Sequence, residues 1–251
     1  MTQPEAAEGS TAGSTVHMPA RTRIKICGLT REDDVRAAVD AGADAIGLVF
    51  YPNSPRYVDV ARAAALAEAA GPFVAIIGLF VNADLEDIAH VAERVPLTLL
   101  QLHGDETPQF CSQASQRCRL PFLRAARVRQ GLDLVEFADQ YRDAAALLLD
   151  AFVEGYGGGG HVFDWTLIPP AWLPPTPPVP ATGNPNASGA PRIVLSGGLN
   201  AQNVAGAIER VRPYAVDVSS GVEASKGVKD HARIAAFVRA VRLADAGQAG
   251  S

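Results

Sequence analysis

Arg23-Ile24-Lys25-Ile26-Cys27-Gly28-Leu29-Thr30-Arg31-Glu32-Asp33 is the stretch on which the fold turns. Ile24–Cys27 reads as a short strand, and Thr30-Arg31-Glu32-Asp33 has the spacing of a helix N-cap, so strand passes to helix across a very short link. A doubly wound nucleotide-binding sheet would carry a Gly-x-Gly-x-x-Gly turn here, and Cys27-Gly28-Leu29-Thr30 is no such turn. The same unit recurs downstream. Nearly continuous apolar runs, as expected of parallel strands covered on both faces, lie at Ala45–Phe50, Val74–Val81, Leu97–Leu102, Phe122–Val128, Ala146–Ala151, Arg192–Ser196 and Ala215–Val218. Helical patterns fall at Glu32–Ala41, Val60–Ala70, Leu85–Arg94, Thr107–Cys118, Leu132–Tyr141, Asn200–Val211 and Val228–Ala244, with Gly42 and Gly71 as helix stops. Strict alternation of eight such strands with helices predicts an α/β fold, a single closed (β/α)8 TIM barrel, ahead of an open sheet with fewer strands.

Two stretches fall outside that rhythm. Residues 1–21 are rich in Ala, Gly, Ser and Thr and read as a flexible tail rather than a signal peptide. Pro169–Pro191 holds nine of the chain's 18 prolines and reads as a Pro-rich surface insertion after strand six, with the sixth helix short and starting near Asp164-Trp165. The barrel is expected over 22–246. Of 251 residues, 22 are Lys or Arg and 27 Asp or Glu, and this mild acidity argues against a nucleic-acid partner. No apolar run reaches the roughly 18 residues of a membrane span. Three Cys, an odd number, make no disulfide framework and point to a reducing, cytoplasmic setting.

Barrels of this kind carry their chemistry at the C-terminal ends of strands. Those ends deliver Cys27, the Tyr51–Tyr57 turn with Arg56, Gln101 and His103, Asp150, Ser196-Gly197-Gly198, and Asp217 before Ser219-Ser220-Gly221. Gly197 and Gly198 ahead of a helix at Asn200, together with Ser219, Ser220 and Gly221, offer backbone N–H groups to a phosphate, and Gly158 and Gly160 within Gly157–Gly160 would add a third wall. Taken singly, each glycine equally suits a tight turn. Cys27 and Asp150 open on the same mouth as a base and an acid in waiting, although a strand-end Cys is often only a small buried side chain. Lys25 shares a strand face with Cys27, where it would favour the thiolate or pair with Asp217 or Asp150. Arg56 suits a carboxylate or phosphate clamp, and equally a solvated loop. His103 suits a base or pocket role but has no second ligand at metal spacing. Cys111 and Cys118, seven apart, read as helix-face residues.

Seven segments in barrel order resemble the phosphoribosylanthranilate isomerase family of tryptophan biosynthesis. They are Lys25–Thr30, Ser54–Val58, Gln101–Glu106, Leu149–Ala151, Phe163–Trp165, Leu195–Leu199 and Val216–Glu223. The resemblance implies an Amadori rearrangement of N-(5′-phosphoribosyl)anthranilate to 1-(2-carboxyphenylamino)-1-deoxyribulose 5-phosphate, with neither metal nor organic cofactor. It implies Asp150 as general acid and Cys27 as general base. Arg56 would hold the anthranilate carboxylate, Gln101, His103 and Asp217 would line the pocket, and the last two strand loops would take the phosphate. The expected partner is therefore a small phosphoribosyl substrate. The chain departs from the family where Gly157–Gly160 replaces the usual Gly-Gly-Thr-Gly, and in its long Pro-rich stretch. Other phosphate-binding barrel enzymes fit less well, since strand one ends in Cys27 rather than Asp, and a non-catalytic phosphoribosyl sensor would not need both Cys27 and Asp150.

Overall fold

The structure is a computed structural model, and it describes residues 21–152, 163–173 and 190–249. Within these, β1 (Arg23–Cys27), β2 (Ala45–Val49), β3 (Ala75–Phe80) and β4 (Leu99–Leu102) form the first half of a sheet. The second half is β5 (Phe122–Val128), β6 (Ala146–Ala151), β7 (Ile193–Leu195) and β8 (Ala215–Val218). All pair in parallel in chain order, and β8 pairs back onto β1 with Lys25 opposite Asp217, which closes the barrel. Helices α1 (Glu32–Ala41), α2 (Val60–Ala70), α3 (Leu85–Ala92), α4 (Pro108–Cys118) and α5 (Leu134–Gln140) follow the first five strands. After β7 and β8 come α6 (Val204–Val211) and α7 (His231–Ala249).

Local chemistry explains where these bounds depart from the sequence pattern. Thr30 does not cap α1; its hydroxyl donates to the Gly227 carbonyl at 2.6 Å, and Arg31 is the N-cap residue. α6 starts at Val204 rather than Asn200, because the Asn200 side chain accepts the N–H groups of Gln202 and Asn203 and holds a turn there instead. The expected α-helix at Asp164 is two 3-10 turns, Trp165–Leu167 and Pro170–Trp172. Asp164 does cap the first, but Ile168 precedes Pro169 and is extended, so the turn cannot lengthen. Val228 and Lys229, expected to begin the last helix, instead form β10 (Val228–Lys229), antiparallel to β9 (Glu223–Ser225). The tail up to residue 20 and the interior of the Pro-rich insertion lie outside the described residues, while Arg21 is ordered by a pair with Asp44.

The side-chain period of two sorts the strands into faces. Ile24, Ile26, Ile46 and Leu48 join the large core between sheet and helices. Ala45, Ile77, Leu123, Leu148, Val194 and Ala215 form a second buried cluster on alternate positions, which fills the barrel interior. Carrying that interior alternation toward the C-terminal ends replaces apolar side chains with Lys25 and Cys27, Gln101 and His103, Asp150, Ser196, and Asp217 and Ser219. The site is the polar top layer of the barrel's own core.

A buried network fixes the rim at β4. Arg124 on β5 donates to the carbonyls of Leu102 (2.9 Å) and Gly104 (3.0 Å), lies 4.8 Å from the Tyr141 ring and pairs with Glu106 at 3.3 Å. Glu106 in turn accepts the backbone N–H groups of Asn82 and Gly104, each at 2.8 Å. His103 sits on the loop so pinned. Glu106→Ala leaves a buried guanidinium without its charge partner, and should cost about 3–5 kcal/mol of folding free energy. Chemical denaturation measures this; a cost below about 1 kcal/mol would show that the pair does not hold the rim.

Candidate active site

The mouth formed by the C-terminal strand ends contains about 700 Å³ of space, part of it open to solvent. Cys27, Arg56, Gln101, His103, Asp150 and Asp217, expected from strand ends across the whole chain, all line it. Gly197, Gly198, Ser219 and Ser220 complete one side. Gly158 and Gly160 lie outside the described residues. Gly221 does not line the cavity; a Cβ there would sit 1.9 Å from the Leu199 carbonyl oxygen, so this glycine lets the loop after β8 lie against the loop after β7.

Cys27 is buried at the tip of β1, directly above Lys25 on the same strand face. Lys25 Nζ pairs with Asp217 Oδ1 at 2.8 Å, not with Asp150, and the Ser196 hydroxyl donates to the other Asp217 oxygen at 3.2 Å. Burial raises the Cys27 thiol above its usual pKa; Lys25 pulls it back and Asp217 pushes it further up. Burial also works against the Lys25 ammonium, but Asp217 and Cys27 outweigh it and hold the proton more tightly than usual. Lys25 therefore limits the penalty on a thiolate without abolishing it.

Room for this pair comes from Gly47 on β2, which the sequence reading did not single out. A Cβ at Gly47 would lie 2.7 Å from Cys27 Sγ and 3.1 Å from Lys25 Nζ. The signal was available: Gly47 stands at an inward position of an otherwise apolar strand, where glycine marks a close approach.

On the opposite flank the Asp150 carboxylate meets His103, whose Nε2 lies 3.2 Å from Oδ2. The carboxylate that meets His103 is not one of its sequence neighbours Asp105 and Glu106; closure of the sheet brings it from β6. The other ring nitrogen of His103 is 2.9 Å from Gln101 Nε2, while Gln101 Oε1 is buried with no partner among the described residues. Gln101 itself lines the cavity. Asp150 Oδ1 accepts the Ala151 N–H at 2.9 Å.

Arg56 is not the solvated loop residue that the sequence left open. It is buried, and its Nε and Nη2 bond both oxygens of Glu223 at 2.7 and 2.8 Å, so the two-pronged edge is already taken. Nη1 is left for a ligand. The hydrogen bond to Glu223 raises the guanidinium pKa further. Glu223 was quoted in a motif without a role, and Lys229 was read as helical; both prove buried beside the site.

Gly197 and Gly198 are consecutive residues at φ +83° and +62°. Their backbone N–H groups and that of Ser220 have no acceptor among the described residues. Unsatisfied amides from two adjacent loops make an anion-binding concavity. The loss of a helix start at Asn200 removes the helix-dipole part of the earlier expectation, not these donors.

The family model for N-(5′-phosphoribosyl)anthranilate (PRA) isomerase matches residues 24–240. The chain belongs to that isomerase family. A relative from Ralstonia pickettii (strain 12J), named N-(5′-phosphoribosyl)anthranilate isomerase, is 69% identical over 226 residues, or 90% of this chain and 95% of that protein. The phosphoribosyl anthranilate isomerase crystal structure from Thermotoga maritima is 40% identical and superposes with a TM-score of 0.75, covering 88% of this chain and 98% of that one. A further isomerase structure, 38% identical at a TM-score of 0.72 with the same two coverages, holds reduced 1-(o-carboxyphenylamino)-1-deoxyribulose 5-phosphate. Family membership thus agrees with the strand-by-strand placement of the seven motifs.

Gly47→Ala tests the packing around the thiol. The added methyl meets backbone at Cys27 Cα as well as Sγ, so overpacking should destabilise the barrel by about 1–3 kcal/mol. A variant as stable as wild type by denaturant titration would show that Cys27 and Lys25 have slack.

Proposed function

We propose that this isomerase rearranges N-(5′-phosphoribosyl)anthranilate to 1-(2-carboxyphenylamino)-1-deoxyribulose 5-phosphate, a step of tryptophan biosynthesis, with Asp150 and Cys27 as acid and base. Asp150 gives a proton to the furanose ring oxygen, and the ring opens to a Schiff base. Cys27 then takes the proton from sugar C2′, leaving an enolamine that tautomerises to the ketone. The two transfers occur at different atoms, and each is worth roughly 10²–10⁴-fold in rate. His103 beside Asp150 can restore the spent proton, and Lys25, under Cys27, offsets the negative charge of the thiolate that takes up the C2′ proton.

The observation that carries this reading is the common mouth: Cys27 and Asp150 line one cavity, together with the vacant amides of Gly197, Gly198 and Ser220 and the open Nη1 of Arg56. We assign the substrate phosphate to those amides and to Ser219, and its aromatic carboxylate to Arg56. Gln101 and Asp217 contact the sugar in this scheme. Gly158 and Gly160, outside the described residues, are assigned to the phosphate as a third wall, and Gly221 lets the two loops pack together. The family and the free state of Cys27, Cys111 and Cys118 support a cytoplasmic enzyme. Among the described residues no helix is long and apolar enough to cross a membrane.

Turnover of phosphoribosylanthranilate, made in situ from anthranilate and phosphoribosyl pyrophosphate, tests the scheme. Wild type should consume it. Cys27→Ala and Asp150→Ala should each lower kcat by at least about 10²-fold with the fold retained. Arg56→Ala should act mainly on KM, because a ground-state carboxylate contact is lost. Near wild-type kcat in either of the first two variants would remove that residue from the chemistry.

A further inference from the structure

The hairpin β9–β10 contributes two charges that the acid–base scheme does not use. Glu223 and Lys229 are both buried, and the Lys229 side chain is fully so. Glu223 Oε1 accepts Arg56 Nε at 2.7 Å and Lys229 Nζ at 3.0 Å, while Oε2 accepts Arg56 Nη2 at 2.8 Å. Lys229 Nζ continues the chain by donating to the Ser219 carbonyl at 3.1 Å. The Ser219 hydroxyl donates in turn to the Cys27 carbonyl at 3.0 Å. One carboxylate thus links the loop after β2 to the loop after β8.

Such a cluster is costly to bury, and well-packed apolar residues would often stabilise a fold at least as well. Its geometry gives it another use. With Nε and Nη2 bound to Glu223, the guanidinium plane cannot turn, and Nη1 keeps one direction. With Nζ bound to Ser219 as well as Glu223, the loop that carries the Ser220 amide is fixed relative to that same carboxylate.

We propose that Glu223 is a positioning residue that joins the two anion-holding ends of the site into one unit. It aims Arg56 directly, and it sets the Ser219-Ser220 loop through Lys229. The separation between the substrate's carboxylate and phosphate is thereby built into the protein before binding, which lowers the ordering cost on association. This rests on the assignment of Arg56 to the carboxylate and of the Ser219-Ser220 loop to the phosphate. Burial opposes the Glu223 charge, yet Arg56 and Lys229 together keep its carboxyl below the usual range, while burial holds the Lys229 ammonium below its own usual value despite Glu223.

Glu223→Gln keeps the size and removes the charge, and an amide NH2 cannot accept from a cation. Benzoate and inorganic phosphate, each as a competitive inhibitor of turnover, read the two ends separately. Glu223→Gln should weaken inhibition by both, about fivefold or more, and raise KM by about tenfold while kcat changes less than about threefold. Lys229→Met should weaken phosphate more than benzoate. If Glu223→Gln fails to fold by circular dichroism, Glu223→Asp carries the same expectation with a shortened but charged link. A folded variant that melts earlier yet keeps both inhibition constants has only a structural residue there, and one that loses a single probe breaks the joint; either overturns the proposal. A wild-type chain that turns over substrate but resists both probes would instead overturn the site assignment beneath it.

Discussion

The ion pair between Lys25 and Asp217 spans the seam where the first strand meets the last. Both side chains are buried, at 3% and 6% exposure, so neither charge is tolerable without the other: removing one partner of a buried pair costs about 3–5 kcal/mol. The pair therefore bears on closure of the barrel and on the electrostatics of its mouth together. Asp217 also holds the Ser196 hydroxyl, which draws in the loop after β7. Above Lys25 stands Cys27. The seam that makes the sheet a barrel is the floor of the basic half of the site.

The acidic half is built differently. Asp150 belongs to β6, and its neighbour His103 comes from the end of β4, a loop held by the buried Arg124–Glu106 pair. Around the rim Glu223 and Lys229 join the two groups proposed to hold the anionic ends of the substrate. Three buried ionic arrangements thus underlie the three tasks proposed for the mouth: base, acid and anion binding. Each sits directly beneath or behind a group that is to touch substrate, and the apolar interior cluster below gives them a rigid support.

Strand order made the position of the mouth legible in the sequence. Once eight apolar runs were read as parallel strands, the residues at their C-terminal ends marked the mouth, and Cys27, Gln101, His103, Asp150 and Asp217 all line it. What escaped was pairing over long separations. Glu223 meets Arg56 across 167 residues, and no spacing rule announces such a contact. The contact of His103 with Asp150 escaped for the same reason. Lys229 was misread because Val228–Ala244 looks helical throughout, whereas Gly227 at φ +80° turns the chain into a hairpin. A glycine between short runs is a turn signal, and it carried more weight here than the helical pattern after it. The short sixth helix failed on a local rule, since paired prolines end even a capped turn.

The central claim is that a buried thiol, steadied by Lys25, is the base at sugar C2′. The pH dependence of kcat/KM tests it most directly, since that profile reports the free enzyme's essential groups. Burial raises the Cys27 pKa, and a base works only when deprotonated, so activity should rise with pH through a limb lying above the usual thiol value of about 8.5. Lys25→Met, with Asp217→Asn beside it so that no buried charge is left alone, removes the nearest group favouring the thiolate, and the limb should move relative to the Asp217→Asn single variant to still higher pH. A limb in the carboxylate range, or one indifferent to Lys25, would contradict the account.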